Sequence, residues 1–440
     1  MTKPDIGDRH EVQLTNLTYS ASAVGQINGV VTFVHRGAPS ETAHVEITEV
    51  KKRHLHARIN EIVSPSPDRC SPPCPYFDSG CGGCQWQHIN VDAQLDAKER
   101  VLIEALNRIG GLSSLPEITR HPAPQPLGYR NNIRLTVTAV RPRIEFGFKS
   151  RFARMHGTAQ EGSHDVLPID RCEIALPAIN RALSQIVDLI EDFRYFQVEE
   201  LTLRTSSTTG EVMLILIFPK RHKPPLKFAD KDLRGYPAIH SIYIQSGERG
   251  NPVPIAGKRT LSETASGLSF EIGPKTFFQN NLAGLEQLVG IVRQHIQVNP
   301  PTVAIDAHCG VGTFTLPVAQ TAKAAFGLDL QTEAITLATN NAKTNGITNT
   351  NFRVGHLGEL GSVKADLVLL DPPRGGCWAE DLEALARITP QHILYVSCNP
   401  TTLTRDLSTL SASYEVTSLD LVDLFPMTYH FETVVGLRRS

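Results

Sequence analysis

The last third of the chain alternates between short apolar runs and stretches with helical spacing. The apolar runs fall at Val303–Asp306, Ala324–Asp329, Asp366–Pro373 and His392–Cys398. Buried parallel strands give such runs because both faces of their sheet are covered. The alternation therefore predicts a doubly wound, Rossmann-like parallel sheet. Two final segments, Tyr414–Leu424 and Phe431–Leu437, predict a closing hairpin.

Residues from about Ile6 to Val63 follow another pattern, in which short segments alternate apolar and polar positions. The predicted strands are Val12–Leu14, Val30–Val34, Ala43–Ile47 and Ala57–Ile59. We interpret Gly25 and Gly29 as turn residues between them. This pattern predicts a small OB-like β-barrel. The basic run Lys51–His54 lies between two strands, where it is either a phosphate contact or a solvated hairpin end.

The middle of the chain predicts an α+β domain. Helical spacing covers Val91–Leu112 and Ile179–Ile190, and the predicted strands are Ile133–Val137, Ile144–Phe148, Leu201–Arg204 and Val212–Phe218. Basic side chains in this part are expected to be exposed and to hold phosphates. They are Arg130, Arg134, Lys149, Arg151 and Arg154.

Composition narrows the class of protein. The 440 residues favour two to three domains, and 43 Lys+Arg against 45 Asp+Glu leave no strongly basic tail. The N-terminus lacks an apolar signal segment, and no apolar run reaches the length of a membrane span. We therefore expect a cytoplasmic protein without a membrane partner. A monomer is the default, and no obligate protein partner is inferred.

Four of the eight cysteines lie in one Gly/Pro-rich loop, at Cys70, Cys74, Cys81 and Cys84. Such a loop offers no periodic apolar face that thiols could join, so we predict a metal centre. The spacing alone fits both zinc and a [4Fe-4S] cluster. Cys172 is a candidate for a distant further ligand.

The segment Ser397-Cys398-Asn399-Pro400 ends an apolar strand at the ligand-binding edge expected for an open α/β sheet. Pro400 suits the first turn of a helix, and the partial positive charge of a helix N-terminus favours thiolate over thiol. Cys398 is therefore a candidate nucleophile, against the simpler interpretation of a buried hydrophobe. Glu432 begins the final strand among apolar neighbours, where desolvation raises a carboxyl pKa and suits proton transfer.

A glycine turn follows the strand at Val303–Asp306 and reads Asp306-x-x-x-Gly310-x-Gly312. Asp329 ends the next strand, where its carboxylate can accept hydrogen bonds from ribose hydroxyls. The third glycine of the dinucleotide pattern is missing, because Leu316 stands near its place. This favours S-adenosylmethionine (SAM) over NAD. His308 and His356 are expected near the crevice, as ligand contacts or as structural residues.

Together these motifs resemble the RNA 5-methyluridine methyltransferases, over nearly the whole chain. Residues 6–63 look like their TRAM domain, and the cysteine-rich loop like their [4Fe-4S] motif. The remaining matches are Phe277-Phe278-Gln279-Asn280-Asn281, Asp371-Pro372-Pro373-Arg374, Ser397-Cys398-Asn399-Pro400 and Phe425 to Glu432. The resemblance implies a SAM-dependent enzyme that acts on ribosomal or transfer RNA.

The resemblance also implies roles for single residues. Cys398 would be the nucleophile and Glu432 the general base. SAM would be contacted by Gln279, His308, Thr313, Asp329, His356 and Asp371. The cluster would be held by Cys74, Cys81, Cys84 and Cys172, with Cys70 competing for the fourth place. The chain departs from the family pattern at His308, Asp329 and His356, where relatives more often carry an aromatic residue, Glu, and Asp or Asn.

The expected domains are a TRAM domain (1–63), a central domain with the cluster loop (64–90 and 122–275), and a class I SAM methyltransferase domain (91–121 and 276–440). The TRAM domain and the cluster favour 23S rRNA as the substrate over transfer RNA, by analogy. The alternatives are an RNA cytosine-C5 methyltransferase, a radical-SAM enzyme and a non-catalytic RNA-binding or chaperone protein.

Overall fold

The computed structural model describes residues 4–109, 115–140, 143–150, 166–221, 228–361 and 363–440. The chain forms two compact units. The first comprises the described residues of Met1–Ile103, Leu135–Glu173 and Phe425–His430, and the second those of Glu104–Arg134, Ile174–Leu424 and Phe431–Ser440. The domain boundaries expected from the sequence remain a prediction.

The first unit contains a six-stranded sheet near the N-terminus. In spatial order its strands are Arg9–Gln13, Thr42–Val50, His54–Ser64, Val30–His35, Ala23–Ile27 and Asn16–Leu17. Each predicted strand of this region is present, and the basic run 51–53 joins two of them. Alternate side chains point inward, as a sheet with one buried face requires.

Gly25 was wrongly interpreted as a turn residue, because it lies inside the strand Ala23–Ile27. A Cβ atom at Gly25 would come within 2.3 Å of the Val12 side chain and 2.8 Å of the Gln13 carbonyl oxygen. Glycine is required here by the close approach of a neighbouring segment. The sequence pattern shows the glycine but not the reason for it.

The core of this sheet also takes in residues that follow the cysteine-rich loop. Trp86 and Ile89 are buried in the same cluster as Val45 and Leu55, together with Ala93 and Ala97 of the helix Val91–Ile109. The loop itself holds one short helix, Pro75–Asp78. Three antiparallel strands complete the described part of this unit, Asn132–Val140, Arg143–Lys149 and Val166–Pro168. Residues 132–134 of the first of them are assigned to the second unit.

The second unit contains the predicted doubly wound sheet, with eight strands. Their order is Thr350–Val354, Ala324–Asp329, Val303–Asp306, Leu367–Leu370, His392–Ser397, Glu432–Arg439, Tyr414–Val422 and Ile118–His121. All run parallel except Glu432–Arg439, which is antiparallel to both neighbours. The sequence analysis did not predict the edge strands Thr350–Val354 and Ile118–His121, because neither is a continuous apolar run.

Helices connect the strands of this sheet and cover it. They are Leu282–Val298, Thr315–Ala319, Thr332–Thr344, Ala379–Ile388 and Pro400–Leu410. The same unit holds the helix Pro177–Asp192 and the strands Glu200–Thr205, Val212–Phe218, Ser241–Ser246, Val253–Gly257, Leu261–Ala265 and Leu268–Ile272. Within the described ranges, no helix is both long and apolar enough to cross a lipid bilayer.

Of the basic side chains expected to be exposed, Arg134 and Lys149 are exposed and Arg130 is partly exposed. Their contact with phosphates stays a prediction. Arg134 is paired with the carboxylates of Glu200, at 3.0 Å from Nε, and Glu248, at 3.2 Å from Nη1. Its charge is therefore already balanced within the protein. Arg151 and Arg154 lie outside the described residues.

We expect Trp86→Ala to lower the free energy of unfolding by about 3–5 kcal/mol, because it removes a large, fully buried side chain from the first core. Urea unfolding followed by circular dichroism measures this loss. Val63→Ala, at a position that is 48 % exposed, is the control and should change the free energy by less than about 0.5 kcal/mol. Equal effects of the two substitutions would contradict the assigned core.

Candidate active site

Cys398 follows the strand His392–Ser397 directly and precedes the helix Pro400–Leu410. Asn399 is the N-cap of that helix, since its Oδ1 accepts a hydrogen bond from Thr401 N at 3.1 Å. The Asn399 Nδ2 donates to the Arg374 carbonyl oxygen at 3.0 Å. The cap therefore fixes the loop after Asp371 against the turn that carries the thiol.

The register of three neighbouring strands brings three chemical groups to the same end of the sheet, where the parallel strands finish. Leu370 pairs with Tyr395, so Asp371 and Cys398 both follow strand ends at this end. Ser397 pairs with Thr433 of the antiparallel strand Glu432–Arg439, so Glu432, which begins that strand, lies at the same end of the sheet. The structure thus brings together Cys398, Glu432 and Asp371.

The charge state of Cys398 differs from the expectation. Burial raises the pKa of this thiol to about 12, the negative charges of Glu432 and Asp371 raise it further, and Arg374 opposes them. The predicted preference for thiolate is therefore wrong for the free protein. The two carboxyl groups and the burial outweigh the partial charge of one helix N-terminus.

Glu432 is only 3 % exposed, and burial raises its pKa well above that of an ordinary glutamate. The charge of Asp371 raises it further, and Arg374 again acts in the opposite direction. Although Asp371 keeps some exposed surface, its carboxyl group is desolvated, and this burial together with the charge of Asp306 raises its pKa to about 8. The Asp371 carboxyl group can therefore exchange protons near neutral pH.

The glycine turn lies after the strand Val303–Asp306, as expected. Asp329 accepts hydrogen bonds from Gly310 N at 3.1 Å and from Gln331 N at 2.8 Å. Gly310 and Gly312 have φ angles of 54° and 94°, which favour glycine. The Cβ position of Gly310 lies 3.7 Å from the Phe277 carbonyl oxygen, so the turn adjoins the segment that leads to Gln279.

Four of the expected SAM-contact residues can be described around this turn: Thr313 and Gln279 singly, and His308 and His356 as a pair. Thr313 is partly exposed within the turn itself, whereas the Gln279 side chain is buried. His308 and His356 are joined by a residue that the sequence analysis did not identify, Asp381. His356 Nδ1 lies 3.1 Å from Asp381 Oδ1, and His308 Nε2 lies 3.9 Å from Asp381 Oδ2.

Asp381 is fully buried in the first turn of the helix Ala379–Ile388. Gly358 N also donates to its Oδ1, at 3.1 Å. The Trp378 ring before it lies 5.9 Å from the His356 ring and 6.3 Å from the His308 ring, and its side chain is exposed. Nothing in the helix periodicity distinguished Asp381 from an ordinary acid at a helix N-terminus.

Arg374 is the second residue that was not assigned a role. It follows Asp371 by three positions and opposes the pKa shifts of both Cys398 and Glu432. Its presence in the Asp-Pro-Pro-Arg motif was the available signal.

None of the eight cysteines forms a disulfide bond. Cys74, Cys84 and Cys172 are buried, Cys81 is partly exposed, and Cys70 is exposed. Burial raises the pKa of Cys84 to about 12, Gln87 lowers it by a hydrogen bond, and the charges of Cys172, Cys81 and Cys74 each raise it. The structure therefore brings the distant Cys172 to three cysteines of the loop.

In the described part of the chain, no three His, Cys, Asp or Glu side chains are arranged to hold a metal ion. A [4Fe-4S] cluster makes a different demand, because each of its four irons takes its own thiolate. The three loop thiols of Cys74, Cys81 and Cys84, with the Cys172 thiol beside them, are a donor set of this kind. Cys70 instead donates toward the Gln87 carbonyl oxygen at 3.5 Å.

Two family models match this chain. The TRAM domain matches residues 4–59, and the tRNA (uracil-5-)-methyltransferase model matches residues 351–440. Among curated proteins, an uncharacterized RNA methyltransferase of Nostoc sp. is 34 % identical, over 98 % of this chain and 96 % of its own length. Another from Caldanaerobacter subterraneus is 32 % identical over the full length of both chains.

A solved structure also matches nearly the whole chain. It is the Pyrococcus abyssi tRNA (uracil-54, C5)-methyltransferase in complex with S-adenosyl-L-homocysteine. The two are 26 % identical with a TM-score of 0.74, and the match covers 97 % of this chain and 100 % of the other.

We expect alkylation of Cys398 by iodoacetamide to be slow at neutral pH and to rise about tenfold per pH unit up to about pH 9, since only the thiolate reacts. Mass spectrometry of the Cys398 peptide measures the rate. Two substitutions should act in opposite directions at about pH 9: Glu432→Gln speeds alkylation by removing a negative charge, and Arg374→Gln slows it. A change of the same sign in both variants would contradict the electrostatic assignment.

Proposed function

Because the chain belongs to the family of SAM-dependent RNA (uracil-5-)-methyltransferases, we propose that it methylates C5 of a uridine through a covalent bond from Cys398 to C6. One observation carries the proposal. A thiol and a buried carboxyl group, Cys398 and Glu432, lie at the same edge of the sheet on paired strands, close enough for their charges to interact. This is the pair that addition at C6 and proton removal at C5 require.

C5 of uracil is a poor nucleophile until C6 is saturated. As the bond from Cys398 Sγ to C6 forms, the thiol proton passes to solvent, and the C5–C6 double-bond electrons move onto C5 and the O4 carbonyl. S-Adenosylmethionine, when bound, supplies the methyl group that C5 then accepts. Its proposed contacts are Gln279, His308, Thr313, Asp329, His356 and Asp371.

Glu432 acts in the second half of the reaction. Its carboxylate removes the C5 proton, and the electron pair left on C5 restores the C5–C6 double bond as the thiolate leaves C6. The thiolate then takes up a proton from solvent, and Glu432 releases the C5 proton to solvent, which returns both groups to their starting states. Burial raises the pKa of Glu432, which makes its carboxylate a stronger base than an exposed glutamate. The same burial excludes water from the reacting carbon.

The reacting uridine has to leave its stack, because the thiol and the carboxyl group lie within the protein at a strand end. The TRAM domain would bind the surrounding RNA. For the substrate we propose 23S rRNA, by the analogy of domain composition. Transfer RNA is the second candidate, favoured by the match to the P. abyssi tRNA enzyme over the whole of that chain.

We propose that Cys74, Cys81, Cys84 and Cys172 hold a [4Fe-4S] cluster. The proximity of Cys172 to the three loop cysteines supports this set, and the exposed Cys70 is left out of it. When bound, the cluster would cross-link the loop and Cys172. The proposed methyl transfer contains no electron-transfer step, so we assign these cysteines a structural role.

The proposed chemistry predicts a trapped complex with RNA that contains 5-fluorouridine. Fluorine cannot leave C5 as a proton, so the bond from Cys398 to C6 persists. Incubation with tritiated methyl-SAM should give a protein–RNA band that survives denaturation, and Cys398→Ala should give none. Cys377→Ala, at a buried thiol outside the site, should retain it.

The same assay with ordinary 23S rRNA, transfer RNA and cytosine-substituted RNA identifies the substrate. Methyl transfer to 23S rRNA alone supports the full proposal, and transfer to tRNA alone replaces its substrate by the second candidate. If wild-type protein that binds these RNAs gives neither adduct nor methyl transfer, the covalent mechanism fails and a non-catalytic RNA-binding role replaces it.

We expect anaerobically purified protein to contain about four irons and four acid-labile sulfides per chain, with visible absorption. Cys172→Ser should lose most of both, because it removes one of four ligands, whereas Cys70→Ser should retain them. The reverse result for this pair would exchange the fourth ligand. Bound zinc without sulfide would contradict the cluster.

A further inference from the structure

Asn281 makes two side-chain hydrogen bonds that point to different parts of the second unit. Its Oδ1 accepts from Gly284 N at 3.2 Å and thereby caps the helix Leu282–Val298. Its Nδ2 donates to the Leu424 carbonyl oxygen at 2.9 Å. The residue is 1 % exposed, so neither bond competes with bulk water.

Asn281 belongs to the segment proposed to contact SAM, since Gln279 lies two residues earlier. Asn131 also holds this segment, through two hydrogen bonds. The Asn131 backbone N donates to the Asn280 carbonyl oxygen, and its Nδ2 donates to the Gln279 carbonyl oxygen, both at 3.0 Å. The backbone from Gln279 to Asn281 is therefore fixed in place before any ligand binds.

The Nδ2 bond of Asn281 reaches Leu424, which lies two residues after the end of the strand Tyr414–Val422. Val422 pairs with Glu432, and Leu424 N donates to the Val422 carbonyl oxygen at 2.9 Å. Leu424 itself is buried and packs against Gly284, where a Cβ atom would lie 2.1 Å from Leu424 Cδ1. The first turn of the helix thus approaches this strand end as closely as glycine allows.

We propose that Asn281 is a positioning residue that fixes the strand opposite Glu432 relative to the Gln279 segment. This inference rests on the proposed function and goes one step further. The amide links the segment proposed to contact the methyl donor to the end of the strand Tyr414–Val422, whose Val422 pairs with Glu432. In this way it would keep Glu432 facing C5 after methyl transfer. A shift of about 1 Å in such an alignment can cost about a hundredfold in rate.

Two substitutions separate this role from helix capping. Asn281→Asp keeps an N-cap acceptor of equal quality and nearly the same shape, but it loses the N–H donor to Leu424. Asn281→Ser also keeps an acceptor, introduces no buried charge, and is too short to replace the donor. The matched control is Asn349→Asp. Asn349 Nδ2 donates to the Ala319 and Ala322 carbonyl oxygens, and Asn349 precedes the strand Thr350–Val354, at the opposite edge of the sheet.

The experiment uses the full-length protein, SAM and the RNA that the wild type methylates. We expect both Asn281 variants to methylate about 10- to 100-fold more slowly at saturating SAM and RNA, with half-saturating concentrations changed by less than about twofold. On ordinary uridine RNA the covalent protein–RNA intermediate should accumulate, as in Glu432→Gln, because proton removal is the slowed step. The adduct with 5-fluorouridine RNA should form as in the wild type.

Three results would overturn the inference. They are rates no lower than that of Asn349→Asp, a raised SAM requirement with normal turnover at saturation, and slow turnover without accumulation of the intermediate. The wild-type arm separates this inference from the proposed function. If wild-type protein forms no 5-fluorouridine adduct, the covalent mechanism itself fails.

Discussion

The site depends on one strand that is antiparallel to the other strands of its sheet. Glu432–Arg439 is antiparallel to the strand His392–Ser397, so its first residue lies where the parallel strands end. A parallel strand in the same place would put its first residue at the opposite end of the sheet, away from Cys398. This reversal lets Cys398, Asp371 and Glu432 meet although they come from three separate segments. It also gives the final hairpin a place in the proposed chemistry, beyond covering the last parallel strand.

The meeting of these groups has an energetic cost. The pKa values of Glu432, Asp371 and Asp306 are all raised in the folded protein, those of Asp371 to about 8 and Asp306 to about 7. Raised values mean that these carboxyl groups favour folding most below their unfolded pKa, near pH 4, and that this contribution is lost as the pH rises toward 7 and 8. The protein therefore holds its acids in a state that is unfavourable for stability and favourable for proton transfer.

Much of the architecture followed from hydrophobic pattern. The strands of the parallel sheet, the N-terminal sheet and the long helices were predictable because each buries a regular face. Gly25 and the strand Thr350–Val354 were not, since their roles come from distant neighbours. For the proposed site, single residues were predicted from local motifs. Asp381 and the charge state of Cys398 were missed, because both depend on which groups the fold brings close.

Asn281 and Asn399 share a chemical property that a capping rule does not contain. Each accepts a backbone hydrogen bond as an N-cap and donates one from the amide nitrogen to a carbonyl oxygen of another segment. Serine, threonine and aspartate can all cap a helix, but only asparagine combines the cap acceptor with an N–H donor of this reach. A designer who transplants this site to another sheet would therefore copy two asparagines that touch no reacting atom.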